Sequence, residues 1–170
     1  TDQQRADTSN RECFPLNTTP FLDELAKGGQ WFNKAYTSTP LCAPARISML
    51  TGRFPSAHHV RINTTIEHAA FKKDLIDIVK EKGYVTAMIG KNHSHLTPDR
   101  VDCWFELGHW GALDNDRNSK EKAFDEWLKV LYPQVGLEAT PFPLECQCAY
   151  RIVDKAQEWL SSISNDIPFF

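Results

Sequence analysis

A chain of 170 residues, 41% hydrophobic and 24% charged, is long enough for one domain with a substantial core. Its composition is that of a globular protein, which excludes a disordered or fibrous one. A net charge of -3 gives no electrostatic case for nucleic acid or an anionic membrane surface, and no apolar run approaches the roughly 18 residues of a spanning helix.

The chain opens on the polar stretch TDQQRAD. Thr19 is placed to cap a helix with Pro20 at its first position, Leu22 and Leu25 turned inward and Gly28-Gly29 as the stop. QWFNKAYTS, containing Trp31 to Tyr36, reads as a strand. CAPARISMLTGR then reads as a short helix starting near Cys42 and closed by Thr51-Gly52. Over 71–82, FKKDLIDIVKEK places Leu75, Ile76 and Val79 on one helical face, and Gly83 ends it. YVTAMIG, 84–90, reads as a short buried strand with Lys91 at its carboxyl end. NHSHLTPDRVDCWFELGHWGALDNDRNSK reads as a long polar and aromatic loop of the kind that lies over a site. Helices return at 119–131 and 145–163, the second burying Ile152, Val153, Ala156, Trp159 and Leu160, and the final DIPFF begins another strand. This alternation predicts an α/β fold with a mainly parallel central sheet flanked by helices.

Ligands of open parallel sheets bind at the carboxyl ends of strands, and three segments are expected there. They are Asp2-Gln3, the loop around Cys42, and Lys91 to His95. Pro44 in a first helical turn puts Cys42 at or beside the N-cap, where unpaired N–H groups and the helix dipole suit an anion. Arg46 falls on the same helical face. Spacing alone favours a buried structural thiol beside a surface arginine. Lys91 and His93 on their own are also compatible with a solvated lysine and a loop histidine. His58 and His59 are expected at the surface, and His95 has no assigned part. The five cysteines (Cys13, Cys42, Cys103, Cys146, Cys148) form neither a disulfide framework nor a paired zinc motif. Cys146 and Cys148, spaced C-x-C, suit burial better than a metal. Sequons begin at Asn17, Asn63 and Asn92.

C-A-P-A-R followed by I-S-M-L-T-G-R resembles the signature of the formylglycine-dependent sulfatases, of the alkaline-phosphatase-like superfamily. TDQQRAD resembles that family's first metal-binding turn, TTPFLDELAKGGQWFNKAYTSTPLC its run into the nucleophile, and GYVTAMIGKNH its G-K-x-H segment. The closing PFF resembles the strand leading to a later histidine-bearing loop, so the resemblance spans nearly the whole chain in family order. It implies that residues 1–170 are the N-terminal part of a catalytic sulfatase domain. The first strand, a distal acidic pair, a further lysine and a further histidine would then lie outside this chain.

The resemblance further implies that a formylglycine-generating maturation enzyme reads the cysteine, proline and arginine and oxidises Cys42 to formylglycine. One hydroxyl of the hydrated aldehyde attacks sulfur, and collapse through the second ejects sulfate without water attack, an exit that serine lacks. A divalent cation, calcium first and magnesium second, is implied at Asp2, Gln3 and the modified Cys42. Many relatives carry aspartate where this chain has Gln3, an oxygen donor without charge. Lys91 is implied to bind a sulfate oxygen, His93 to hydrogen-bond the formylglycine hydroxyl, and Arg46 to place charge beside the diol. The implied activity is hydrolysis of a sulfate ester, on a sulfated small molecule or glycan, in a periplasmic, secreted or lysosomal setting. Two alternatives stand beside it: a phosphonate or phosphate ester hydrolase of the same superfamily, and a non-catalytic relative that binds sulfated glycan.

Overall fold

Prolines in first turns open α-helices at Pro20 and Pro55, and left-handed glycines follow helices at Gly52 and Gly83. The computed structural model describes residues 4–108, 111–112, 117–131 and 139–170. The chain divides into two compact units, Thr1–Thr37 and Ser38–Phe170.

In the first unit, two 3-10 turns, Ala6–Thr8 and Asn10–Glu12, precede helix α1, Pro20–Lys27. Pro20 opens α1 after Thr19, as the sequence predicts, and Gly28 ends it. The Thr19 hydroxyl does not cap the backbone; it donates to Asp23 Oδ2 at 2.9 Å. Leu22 and Leu25 are exposed rather than turned inward, and α1 buries no residue. The expected strand over Trp31 to Tyr36 is absent, and Phe32 and Tyr36 stand open to solvent. A strand exists only through its ladder, and among the described residues of this unit there is no partner strand for it. Trp31 instead lies under the Arg11 guanidinium, 5.0 Å from the ring centroid.

The second unit is built on strand β1, Ala87–Gly90. One edge of β1 pairs in parallel with β2, Cys103–Gly108, in the register Ala87 to Cys103 through Gly90 to Glu106. The opposite edge meets the chain terminus: Val85 N–H donates to Pro168 O at 3.0 Å and Ala87 N–H to Phe170 O at 2.9 Å. Val85 and Phe169 form a parallel bridge, so DIPFF does begin a neighbouring strand. A short β3, Gly111–Ala112, pairs antiparallel with β2. β2 lies within the segment read from sequence as loop. Its Trp-Phe-Glu-Leu core carries the β-prone aromatics of a strand, but Thr-Pro-Asp before it and Gly-His after it masked that signal.

Helices α2 (Cys42–Thr51), α3 (Pro55–His58) and α4 (Leu75–Glu81) precede β1; α5 (Ser119–Leu131) and α6 (Cys148–Ser162) follow β3. α4 starts later than the pattern predicts, because Asp74 and Asp77 form a reciprocal capping box. Ile76, Met88, Leu96 and Val101 make the core, with Leu50 of α2 and Trp104 of β2 packed against it. α6 packs on β1 and β2. Ile152, Ala156 and Trp159 of α6 are partly covered, but Val153 and Leu160 are exposed against expectation. The buried member of α6 is a charge, Arg151.

Arg151 is buried because α5 presents a fully buried carboxylate to it. Asp125 Oδ1 accepts from Arg151 Nη1 at 3.1 Å, and Asp125 Oδ2 from Arg117 Nη1 at 2.7 Å. Removing one member strands a desolvated charge. Asp125→Ala is therefore expected to lower unfolding stability by about 3 kcal/mol or more, read from denaturant midpoints at constant m-value.

Candidate active site

α2 begins without a useful cap of its own, since its N-cap is Leu41. Its first turn is satisfied from elsewhere: the Ala43 N–H donates to Asn63 Oδ1 at 3.0 Å. Cys42 is the first helical residue and half-buried; Ala43, Pro44 and Ile47 behind it are buried. Pro44 removes an N–H from a turn that has no helical acceptor for it. At the other end Gly52 takes φ 65 and its N–H returns to Ser48 O at 2.9 Å.

β1 ends at Gly90, φ 113, and Lys91 leads a loop back toward α2. Lys91 Nζ lies 3.6 Å from Cys42 Sγ. Its backbone carbonyl accepts from Arg46 Nη1 at 2.7 Å. The Arg46 fork thus grips the exit of β1, so one residue, Lys91, touches the α2 thiol with its side chain and the α2 arginine with its backbone. His93 sits half-buried on the same loop, in left-handed backbone at φ 42. Beneath the loop, Arg46, Met49, Lys91, Asn92 and Phe170 border a cavity of about 230 Å³. Asp2 and Gln3 lie outside the described residues. Among the described residues no cluster of three or more His, Cys, Asp or Glu side chains could hold a metal ion. The donor chemistry of Asp2 and Gln3, oxygens only, fits a hard divalent cation.

Two histidines depart from expectation. His58, expected at the surface, is fully buried under α2. Its Nδ1 accepts the Val60 N–H at 3.2 Å, so Nε2 carries the proton and faces Ser48 Oγ at 3.0 Å. Ser38 Oγ donates to the same hydroxyl at 2.9 Å. Burial pushes the His58 imidazole below its ordinary range. His59, the next residue, is exposed as expected. His95 is buried against α4, with Nε2 at 2.6 Å from Asp74 Oδ2.

Asn63 and Glu106 were invisible as site residues in the sequence. A lone amide in a polar loop gives no sign that it caps a helix twenty residues earlier. Glu106 is paired in register with Gly90; burial pushes its carboxyl up, opposed by a hydrogen bond from the Asn92 N–H. Both Asn63 and Asn92 open sequons, yet both use their amides internally. Asn92 Nδ2 donates to Leu96 O at 2.9 Å, and Ser94 Oγ donates to Asn92 Oδ1 at 2.6 Å.

The chain matches the sulfatase family model over residues 1–170. It is 28% identical to human (Homo sapiens) N-acetylgalactosamine-6-sulfatase over 181 residues, 92% of this chain and 34% of that protein. It is 34% identical to the ulvan-active sulfatase of Formosa agariphila over 135 residues, 78% of this chain and 22% of that one. A solved structure, of a protein in complex with its substrate D-glucosamine-2-N,6-O-disulfate, superposes with a TM-score of 0.63 at 21% identity. That likeness covers 96% of this chain and 30% of the solved one, and it concerns the fold. The chain spans about a third or less of the length of these relatives.

The neutral, buried state of His58 makes α2 acid-sensitive. Its folded pKa lies below the ordinary 6.5, so the unfolded chain binds the extra proton more readily. The stability this gives is fully present above pH 6.5 and is lost as pH falls through and below that value. A thermal midpoint that drops between roughly pH 7.5 and pH 5 in the wild type, and drops less in His58→Gln, is the expected result.

Proposed function

Because the chain belongs to the sulfatase family, we propose that it is the N-terminal part of a longer catalytic domain that hydrolyses sulfate esters. The observation that carries the proposal is the junction of Cys42 Sγ, Lys91 Nζ at 3.6 Å and Arg46 on the Lys91 carbonyl. A sulfated sugar is the favoured substrate class, in keeping with the names of the relatives in human and Formosa agariphila.

Cys42 is the precursor of the nucleophile. Formylglycine made from it supplies, as its hydrate, one hydroxyl that attacks sulfur and expels the alcohol, and a second whose deprotonation restores the aldehyde as sulfate leaves. The chain's own residues do the rest. Asn63 accepts the Ala43 N–H and so holds the first turn of α2, with residue 42 at its start, in place. The Lys91 ammonium, already against the side chain of residue 42, neutralises a sulfate oxygen. Arg46 keeps Lys91 there through its carbonyl and adds positive charge. His93, two residues on, hydrogen-bonds the formylglycine hydroxyl. Asp2 and Gln3 would hold the divalent cation, calcium or magnesium, and it would supply positive charge against the sulfate and the leaving oxygen. The same Cys-x-Pro-x-Arg run is the mark that the maturation enzyme reads.

The test compares matured and unmatured full-length protein on matched sulfate and phosphate esters. The expected outcome is sulfate ester turnover that tracks formylglycine content in the peptide spanning 42–46. Turnover falls to background in Cys42→Ala and Cys42→Ser. Equal rates in matured and unmatured protein, or preference for the phosphate ester, would overturn the reading. Lys91→Ala is expected to lower kcat/KM about a hundredfold, as for loss of one charge-stabilising donor. Asp2→Ala should remove most activity and weaken calcium or magnesium binding by calorimetry, with Gln3→Ala milder.

A further inference from the structure

The loop that delivers Lys91 and His93 is held in a conformation its own sequence does not favour. Gly90, which leads into it, lies at φ 113, and His93 within it is left-handed at φ 42. A non-glycine residue there costs on the order of 1 kcal/mol and persists only where its surroundings fix it. At the front of the loop the fixing group is Arg46, on the Lys91 carbonyl. Through the middle, Asn92, Ser94 and Leu96 bond one another, with the Leu96 N–H on Ser94 Oγ at 3.2 Å.

The far end is held by a buried cluster to which the proposed chemistry assigns no part. His95 Nε2 meets Asp74 Oδ2 at 2.6 Å, and the two side chains are 6% and 0% exposed. Arg100 clamps the same carboxylate with both nitrogens, at 2.8 and 2.9 Å, and reaches Asp77 Oδ1 at 2.7 Å. Asp74 is also the N-cap of α4, accepting the Asp77 N–H at 3.1 Å. Burial alone would push the Asp74 carboxyl up. The hydrogen bonds from Arg100, His95 and the Asp77 N–H outweigh that and hold it at about 2. The His95 ring packs 4.4 Å from Phe71, and its Nδ1 is buried without a hydrogen-bond partner among the described residues. A residue chosen only to fill this space would be apolar, because an unsatisfied buried nitrogen is unfavourable. The Asp74 bond is what the imidazole adds.

We infer that His95, Asp74 and Arg100 form a positioning clasp that holds the loop bearing Lys91 and His93 against Cys42, so that His95 governs turnover without touching substrate. His95 is two residues from His93 and four from Lys91, with Gly90 and the left-handed His93 upstream of it. Releasing it frees the loop to relax and to carry Lys91 Nζ away from residue 42. Displacement of a catalytic group by about 1 Å can cost about a hundredfold in rate.

The inference rests on the sulfatase reading for its kinetic arm only, so a second readout is independent of turnover. In unmatured full-length protein, a short reagent reactive with an amine and a thiol bridges Lys91 and Cys42, and mass spectrometry gives the yield. His95→Phe keeps the ring packing and deletes the bond to Asp74. It is expected to lower kcat of the matured enzyme about tenfold or more and to reduce the cross-link severalfold. His95→Gln, which can still present an N–H to Asp74, should restore most of both. Asp74→Asn keeps an oxygen for the α4 cap and should lower both, which serves if the phenylalanine variant does not fold. Wild-type kcat and cross-link in His95→Phe or in Asp74→Asn would overturn the clasp, as would a glutamine variant no better than phenylalanine. A cross-link that depends on His95 in a protein that turns over no sulfate ester would leave the clasp standing and remove the sulfatase reading.

Discussion

The site hangs on the hydrogen bond between the Arg46 guanidinium and the carbonyl of Lys91. It joins a helix to the end of a strand 45 residues later, and it fixes a backbone atom rather than a side chain. Lys91 is thereby located before its ammonium is aimed, and the reach to Cys42 becomes a local matter of rotamer. A lysine at position 46 would bring the charge but not the rigid fork that holds a carbonyl while presenting further N–H groups. The requirement for arginine is thus structural as well as electrostatic.

That bond in turn needs β1 to end where it does. β1 is paired on both edges, by β2 and by the segment Pro168–Phe170, and packs against the α2 and α4 core and against α6. A strand so confined cannot slip in register without turning its core face outward. The carboxyl end of β1 is therefore a fixed point, and the loop that follows inherits its precision from the sheet. The edge pairing with Pro168–Phe170 ties the terminus of the chain to the same point.

What was legible in the sequence was what depends on near neighbours along the chain. Pro20 and Gly28 bounded α1, Gly52 closed α2, and the Cys-x-Pro-x-Arg run placed its thiol at a helix start. Contacts between distant segments were not legible. His58 reads as one of two loop histidines, and only the fold shows that α2 lies over one and leaves the other in water. Trp31 to Tyr36 has the composition of a strand, but pairing is a property of two segments. β2 was lost because its flanking turn residues outweighed the aromatic pair Trp104 and Phe105, and only its partner β1 reveals it. The opposite error occurred at Val153 and Leu160, where helical periodicity was right but an arginine, drawn in by Asp125, took the buried place. Asp2 and Gln3 remain identified by resemblance alone.

Gly90 carries a consequence of its own. Its φ of 113 is one that side chains rarely adopt, and a Cβ there would stand 3.4 Å from Ile152 Cδ1 on α6. That separation is ordinary van der Waals contact, so the obstacle is the torsion and not the space. Trimming Ile152 would leave the torsion as unfavourable as before. A chain drifting through neutral substitutions can reshape α6 freely, yet no change there opens position 90 to another residue. The junction between β1 and the loop of Lys91 is in this sense closed to gradual exploration, while the helix beside it is not.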